Sequence, residues 1–311
     1  MKFHQLLAFV AVAEQLSIRG AARALGLSQP AVTKTIRELE RDVGAPLVER
    51  SVKGVRLSVY GEAFAPRARL LLADMQRARD EIGQIRDGAS GKLAVAVTTS
   101  VALTVLPAAF KDFHARLPAV DVQFSEGVLP SILGRLDDGR LELAVAHVVP
   151  GTLDEAFEAI PLFRVELVVG VRAQHPLRHA RSLRDLHAAE WILPGEGEPG
   201  REAVAPLFSP AGLTPPARVI LGESVTVVLG LVGHMDLVGL FVSPLADFAF
   251  RQHGIRRVAI REQLPPLQVS VITLRGHRLT PTARHFVECL QRAASRYQAV
   301  ARERPALSAA A

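Results

Sequence analysis

The stretch from Ser17 to Arg50, SIRGAARALGLSQPAVTKTIRELERDVGAPLVER, constrains this chain more than any other. It holds two short helical patterns on either side of Gly26. Ser17 can cap a helix whose apolar residues Ile18, Ala21, Ala22 and Leu25 share one stripe. Gly26 supplies the left-handed residue that ends it, with Leu27 expected to follow as a buried plug. Ser28 then caps a second helix, where Pro30 is tolerated because first-turn amides have no helical acceptor. Spacings of four, three and four put Val32, Ile36, Leu39 and Val43 on the face expected to be buried. Gln29, Pro30, Thr33, Lys34 and Arg37 form a separate stripe. It offers an amide for base edges, an apolar ring for a thymine methyl, and cations for phosphates, the chemistry of a helix laid in a major groove. An ordinary amphipathic hairpin with a solvated face would carry the same spacing, so the surroundings must decide.

Residues 47–58, LVERSVKGVRLS, read as two short strands joined around Lys53-Gly54, from which Arg50, Lys53 and Arg56 project. Such a wing suits phosphate or minor-groove contact. Residues 1–58 contain nine Lys and Arg against five Asp and Glu, an excess of four, while the whole chain carries only +6. Most of the net charge therefore sits in the first fifth, as in a small electrostatic footprint on a nearly neutral body. A merely solvated basic surface would explain the charge but not its pairing with capped helices.

These residues resemble the LysR-type transcriptional regulators. The resemblance is carried by AARALGLSQPAVTKTIRELE, the hydrophobic-x-x-Arg that ends at Arg50, and LSVYGEAF, and it runs to about residue 300. Ser58 stands where the family usually has Thr and caps equally well. The resemblance implies an α/β protein with an N-terminal winged helix-turn-helix (1–58), a long dimerising linker helix and hinge (59–91) and a two-lobed effector domain like the periplasmic binding proteins (92–301). Lobe one is expected at 92–160 and 269–301, lobe two at 161–268, and 302–311 as a disordered tail.

A length of 311 residues agrees with two or three compact units. The single cysteine, Cys289, excludes an internal disulfide and suits a reducing cytoplasm; on a helical pattern it reads as a buried thiol. Met1–Ala13 mimics a signal peptide, but His4 and Gln5 interrupt it and Leu6, Phe9, Val10 and Ala13 fit one helical face. Three glycines, His234 and Asp236 break the apolar run Val225–Val242, which reads as buried strand-helix-strand rather than a membrane span.

From Ser58 to about Arg86 one long helix is expected. Phe64, Ala68, Leu71, Met75, Ala78, Ile82 and Ile85 alternate steps of four and three, a seam for a second copy of the chain, with Pro66 expected to bend or open the helix. Asp87-Gly88-Ala89-Ser90-Gly91 reads as a hinge. Beyond it, strand and helix patterns alternate, which argues for mostly parallel sheets covered by helices. Strands are expected at Leu93–Val97, Val120–Ser125, Leu141–Ala146, Val165–Val171, Trp191–Leu193 and Val269–Leu274, with a closing helix over Thr280–Ala301. EGVLPSILGRLDDGRLELAVA resembles the family's first lobe, with Glu142 in place of its usual Asp.

A two-lobed α/β unit places a ligand between lobes at the carboxyl ends of strands. Thr98-Thr99-Ser100 offers three hydroxyls at a helix start, a corner for an anion; a plain N-cap would look the same. The resemblance places Thr98 and Ser100 where relatives contact an effector's acidic group. Val128 and His147 follow the next two strands, His147 as a donor of a proton-assisted hydrogen bond, and Arg201, Ser224 and Phe241 are expected in the opposite wall. SQPA and the TTS corner also resemble, in kind, the subgroup that senses aromatic sulfonates.

Enzyme readings have little support. Gly195-x-Gly197-x-x-Gly200 matches a dinucleotide fingerprint by letters, but Glu196 and Glu198 repel pyrophosphate and Pro199 obstructs helix entry. There is no Gly-x-Ser-x-Gly elbow or phosphate loop, and His175, His179 and His187 lack thiol partners for a metal site. The expectation is a cytoplasmic regulator without enzymatic activity, cofactor or metal. Its partners would be double-stranded promoter DNA, a small organic anion, RNA polymerase and further copies of itself as homodimer or homotetramer, without a membrane. The competing class is an exported two-lobed solute-binding protein, which would have no need of the N-terminal head.

Overall fold

A computed structural model of the chain describes residues 1–51, 54–87, 91–195 and 208–303. Contacts divide it into two compact units, residues 1–88 with 135–141, and residues 89–134 with 142–311.

In the first unit, α1 (Phe3–Gln15), α2 (Ile18–Leu25) and α3 (Gln29–Val43) precede a hairpin of β1 (Val48–Ser51) and β2 (Gly54–Leu57) and the long helix α4 (Val59–Asp87). Local chemistry sets the helix ends. Ser17 Oγ accepts from the Gly20 amide at 3.1 Å, and Ser28 Oγ from the Ala31 amide at 3.3 Å. Gly26 adopts φ +65°, which lets the Leu27 amide reach back to the Ala22 carbonyl at 2.9 Å. The core gathers Leu6, Phe9, Val12, Ala21, Val32, Ile36, Leu39, Leu47, Ala65 and Ala68. Removing a side chain the size of Phe9 from water contributes about 1.5–3 kcal/mol.

Two residues expected in that core are not there. Leu27 is half exposed and Val43 lies on the surface, because each sits at a helix end that projects past the three-helix contact. Helix α4 remains helical through Pro66, its first turns held in the core by Ala65 and Ala68.

The second unit contains two five-stranded sheets. One has the order β4 (Asp121–Glu126), β3 (Lys92–Val97), β5 (Leu143–Val148), β12 (Leu267–Leu274), β6 (Phe157–Val165). Helices α5 (Thr99–Leu103), α6 (Val105–Arg116) and α11 (Pro281–Glu303), and α7 (Leu129–Asp137) up to residue 134, belong to this lobe. Phe113 and Phe286 meet edge to face at 5.2 Å between α6 and α11. The other sheet has the order β11 (Ile255–Val258), β7 (Leu167–Arg172), β10 (Leu237–Val242), β8 (Glu190–Pro194), β9 (Val219–Gly222), with α8 (Leu183–Leu186), α9 (Val225–His234) and α10 (Ser243–Ala249). Trp191 is buried against Phe208 on one face of it, and its indole donates to the Leu186 carbonyl at 2.9 Å.

The sheets are mixed rather than mostly parallel. Within each, two neighbouring pairings are parallel and two antiparallel. The boundary between lobes also moves. Pro161 reads in sequence as a break, yet it lies inside β6, paired with Ser270 beside a register shift. Strand β6 is at the sheet edge, where proline's missing amide costs no ladder bond. The chain therefore stays in the first lobe to Val165 and re-enters it at Leu267. The run Val225–Val242 is helix then strand, since β9 ends before it at Gly222.

Candidate functional site

Helix α3 separates its two faces as its spacing demands. Val32, Ile36 and Leu39 are buried, while Gln29, Pro30, Lys34 and Arg37 are exposed and Thr33 is half-buried. An open groove runs along this stripe and continues past Arg41 to Pro46. In the hairpin, Glu49 faces Arg56 across the strands, and the Arg56 guanidinium donates to Glu49 Oε2 at 2.8 and 2.5 Å. Arg56 is thus exposed but engaged, and a phosphate would have to displace Glu49. The backbone of Arg50 pairs with Val55; its side chain and Lys53 lie outside the described residues.

Along α4, Leu71, Met75, Ala78 and Ile82 are exposed at steps of four, three and four. Phe64 and Ala68 turn the other way. Phe64 packs on Phe9 at 5.4 Å and Ala68 is buried in the head, so the apolar residues left without intramolecular cover begin at Leu71. The side chain of Ile85 is outside the described residues.

The second site is a cavity of roughly 280 Å³ between the two sheets of the effector unit. Residues from both lobes line it at strand ends: Thr98, Thr99 and Ser100 after β3, Glu126 to Pro130 at and after β4, His147 and Val149 on β5 and beyond. Leu167, Leu193, Val225, Leu240, Phe241 and Leu267 make the mainly apolar remainder. Two backbone bonds fix the hydroxyl corner, Thr98 N–H to the Val145 carbonyl at 3.1 Å and Gly127 N–H to the Val97 carbonyl at 3.3 Å.

Within that corner each side chain has a different state. Thr99 Oγ1 donates to Glu126 Oε1 at 2.5 Å. Ser100 Oγ and His147 Nε2 share a hydrogen bond of 2.9 Å. Thr98 Oγ1 is buried with no hydrogen-bond partner among the described residues, and it does not cap α5. A buried hydroxyl without a partner is costly.

Desolvation pushes the His147 pKa down to about 4, so the ring is neutral near pH 7. This corrects the expectation of a protonated donor: the fold takes water from the imidazole, and no carboxylate among the described residues offsets that. Val128 and Phe241 line the cavity as expected. Ser224 does not; it is exposed at the start of α9. Arg201 lies outside the described residues. Sequence reasoning missed Glu126 and Glu223, the charged groups among the described lining residues, because the fold and not local spacing brings them to the cavity.

The pattern of the bacterial regulatory helix-turn-helix protein, lysR family, matches residues 3–62, and that of the LysR substrate binding domain matches residues 86–295. The chain belongs to the LysR family. It is similar to the HTH-type transcriptional regulator TfdS of Cupriavidus pinatubonensis, with 31% identity over 304 residues, 94% of this chain and 98% of that protein. It is also 34% identical over 235 residues to a probable hydrogen peroxide-inducible genes activator of Streptomyces viridosporus, 70% of this chain and 74% of that one. Among solved structures, CbnR, a LysR family regulator, superposes with TM-score 0.68 at 27% identity over 94% of this chain and 99% of that chain. Full-length CbnR complexed with target DNA gives 0.65 at 26% identity, over 94% and 100%. The chain is thus a LysR-type DNA-binding transcriptional regulator with an effector-binding domain, and not an enzyme. Among the described residues no helix is long and apolar enough to cross a membrane.

Proposed function

We propose that a small organic anion, an aromatic or short-chain carboxylate or sulfonate, binds between the two lobes and controls how the chain engages DNA. The observation that carries this is the buried Thr98 hydroxyl, without a partner among the described residues, in the lining of a largely apolar cavity that also holds the Ser100–His147 pair. An acidic head group accepts hydrogen bonds from Thr98 and Ser100, while an apolar body replaces water against Leu167, Val228, Leu240 and Phe241. The ligand selects one lobe arrangement by differential affinity, and in a homodimer or homotetramer joined along α4 this changes the spacing of paired heads on promoter DNA. Operator bending, and contact with RNA polymerase in the cytoplasm, change with it.

A relative is named as a probable hydrogen peroxide-inducible genes activator, but sensing through a reactive thiol does not suit this chain. Its one cysteine, Cys289, is buried on α11, and burial pushes its thiol pKa up, away from the reactive thiolate. An exported solute-binding role leaves the DNA-reading head unexplained.

A thermal-shift screen of carboxylates and sulfonates, aromatic ones included, tests the reading. An effector raises the Tm in proportion to the logarithm of its concentration, and Thr98→Ala weakens the shift. A full screen in which no acid stabilises the chain, while neutral apolar compounds do, contradicts it. Selective stabilisation by arenesulfonates would place the chain with the aromatic-sulfonate subgroup.

A further inference from the structure

The segment that opens the wing is held from two sides. The Leu47 and Val48 amides both donate to Oε1 of Glu40, at 2.9 and 3.2 Å, from the last turn of α3. On the other side the Ser58 amide donates to the Leu47 carbonyl at 3.0 Å, and Ser58 Oγ donates to the Pro46 carbonyl at 2.5 Å. The Gly61 amide closes the knot on Ser58 Oγ at 3.0 Å, and a Cβ at Gly61 would overlap the Leu47 carbonyl oxygen. Leu47 itself is fully buried in the head core. Backbone groups of Pro46, Leu47 and Val48 are thus shared between the groove-facing helix and the start of α4.

Helix energetics do not account for Glu40. It lies in the last turn of α3, where free carbonyls make a carboxylate unfavourable and favour a cation. What it does is satisfy two amides that belong to the strand, one of them on a fully buried residue.

We propose that Glu40 is a positioning residue for DNA recognition. It fixes the wing to the C-terminal end of α3, so the stripe of Gln29, Thr33, Lys34 and Arg37 and the β1–β2 hairpin meet a duplex in one register. Through the shared Leu47 the same knot ties both to the start of the linker helix. Glu40 touches no base in this role, and its loss releases the wing while leaving the α3 stripe intact.

The test uses the full chain and a duplex selected from a random-sequence library by the wild type, with a scrambled duplex as reference. Both bonds end on one oxygen, so Glu40→Gln retains them, whereas Glu40→Ala removes them and Glu40→Asp is one methylene too short. Glu40→Gln should keep the preference for the selected duplex within about twofold, while Glu40→Ala and Glu40→Asp should lose about tenfold or more. In those two, hydroxyl-radical protection at the wing should disappear, base protection under α3 persist, and amide exchange at Leu47 and Val48 accelerate. A Glu40→Asp chain with wild-type preference and wing footprint overturns the proposal, as does Glu40→Gln behaving like Glu40→Asp. Should Glu40→Ala fail to fold, the Asp and Gln variants decide between the same outcomes.

Discussion

Replacing Thr98 by Val should separate the cost of the waiting hydroxyl from its use. Val is nearly isosteric and suits the extended backbone at this position, φ −81° and ψ 155°. Thr98 Oγ1 makes no cap bond and has no other partner among the described residues, so the substitution removes none of their hydrogen bonds. It does remove a desolvated hydroxyl, whose burial costs about 1–3 kcal/mol. Unliganded Thr98→Val should therefore be as stable as the wild type or more so. The corresponding rise is about 2–4 °C in Tm per kcal/mol for a domain of this size. With an effector from the acid screen the sign reverses. A lost hydrogen bond to a charged head group costs about 1.5–3 kcal/mol, an affinity loss of about 10-fold to 100-fold. Differential scanning calorimetry of the two proteins with and without ligand reads both arms. An unliganded variant destabilised by more than about 1 kcal/mol would mean the hydroxyl has a structural partner, and unchanged ligand affinity would remove Thr98 from the site.

Other perturbations follow from the same geometry. Because its folded pKa lies near 4, below the unfolded value near 6.5, His147 contributes stability that is complete above about pH 6.5 and falls as pH drops toward 4. Between pH 7 and 5 its share of the loss is about 2 kcal/mol; an imidazole NMR titration should show no protonation above about pH 5.5, and a midpoint near 6.5 would refute the desolvated ring. At Gly239 a Cβ would stand 2.5 Å from Phe241 Cε2 and 2.9 Å from Val232 Cγ2. Gly239→Ala should therefore cost about 1–3 kcal/mol and displace the Phe241 ring that lines the cavity, changing effector affinity in calorimetry. Met75→Asp with Ile82→Asp changes two exposed positions, so the fold should persist by circular dichroism while light scattering shows a monomer. A folded double variant of unchanged mass would show that α4 is not the dimer seam.

How much was legible in the sequence depends on how local the determining contacts are. Ser17, Gly26 and Ser28 act within three or four residues, and the Val32–Ile36–Leu39 stripe is a property of one helix, so the head could be read almost completely. Burial of Leu27 and Val43 could not, because it depends on where neighbouring helices end. Pro161 misled for a related reason: a proline breaks a central strand but is harmless at an edge, and edge position is fixed by β12, more than a hundred residues away. In the cavity the hydroxyl run was visible at once. The neutral state of His147 and the Thr99–Glu126 bond were not, since each is created by segments the fold brings together. Glu40 was hidden in a different way: as a polar residue on an amphipathic helix it looks like solvated surface, and only the amides of Leu47 and Val48 reveal its work.

The central claim is that the exposed stripe of α3 reads base edges and that the cavity adjusts that reading. A salt titration of binding to the selected and scrambled duplexes, for wild type and Gln29→Ala, measures it most directly. Affinity for both duplexes should fall steeply with salt through phosphate contacts. The selected duplex should keep an advantage on the order of a thousandfold, and Gln29→Ala should lose about 1–3 kcal/mol of it at one base pair without changing the salt slope. Equal affinity for the two duplexes, or a Gln29→Ala chain that selects the same sequence with the same advantage, would contradict the account.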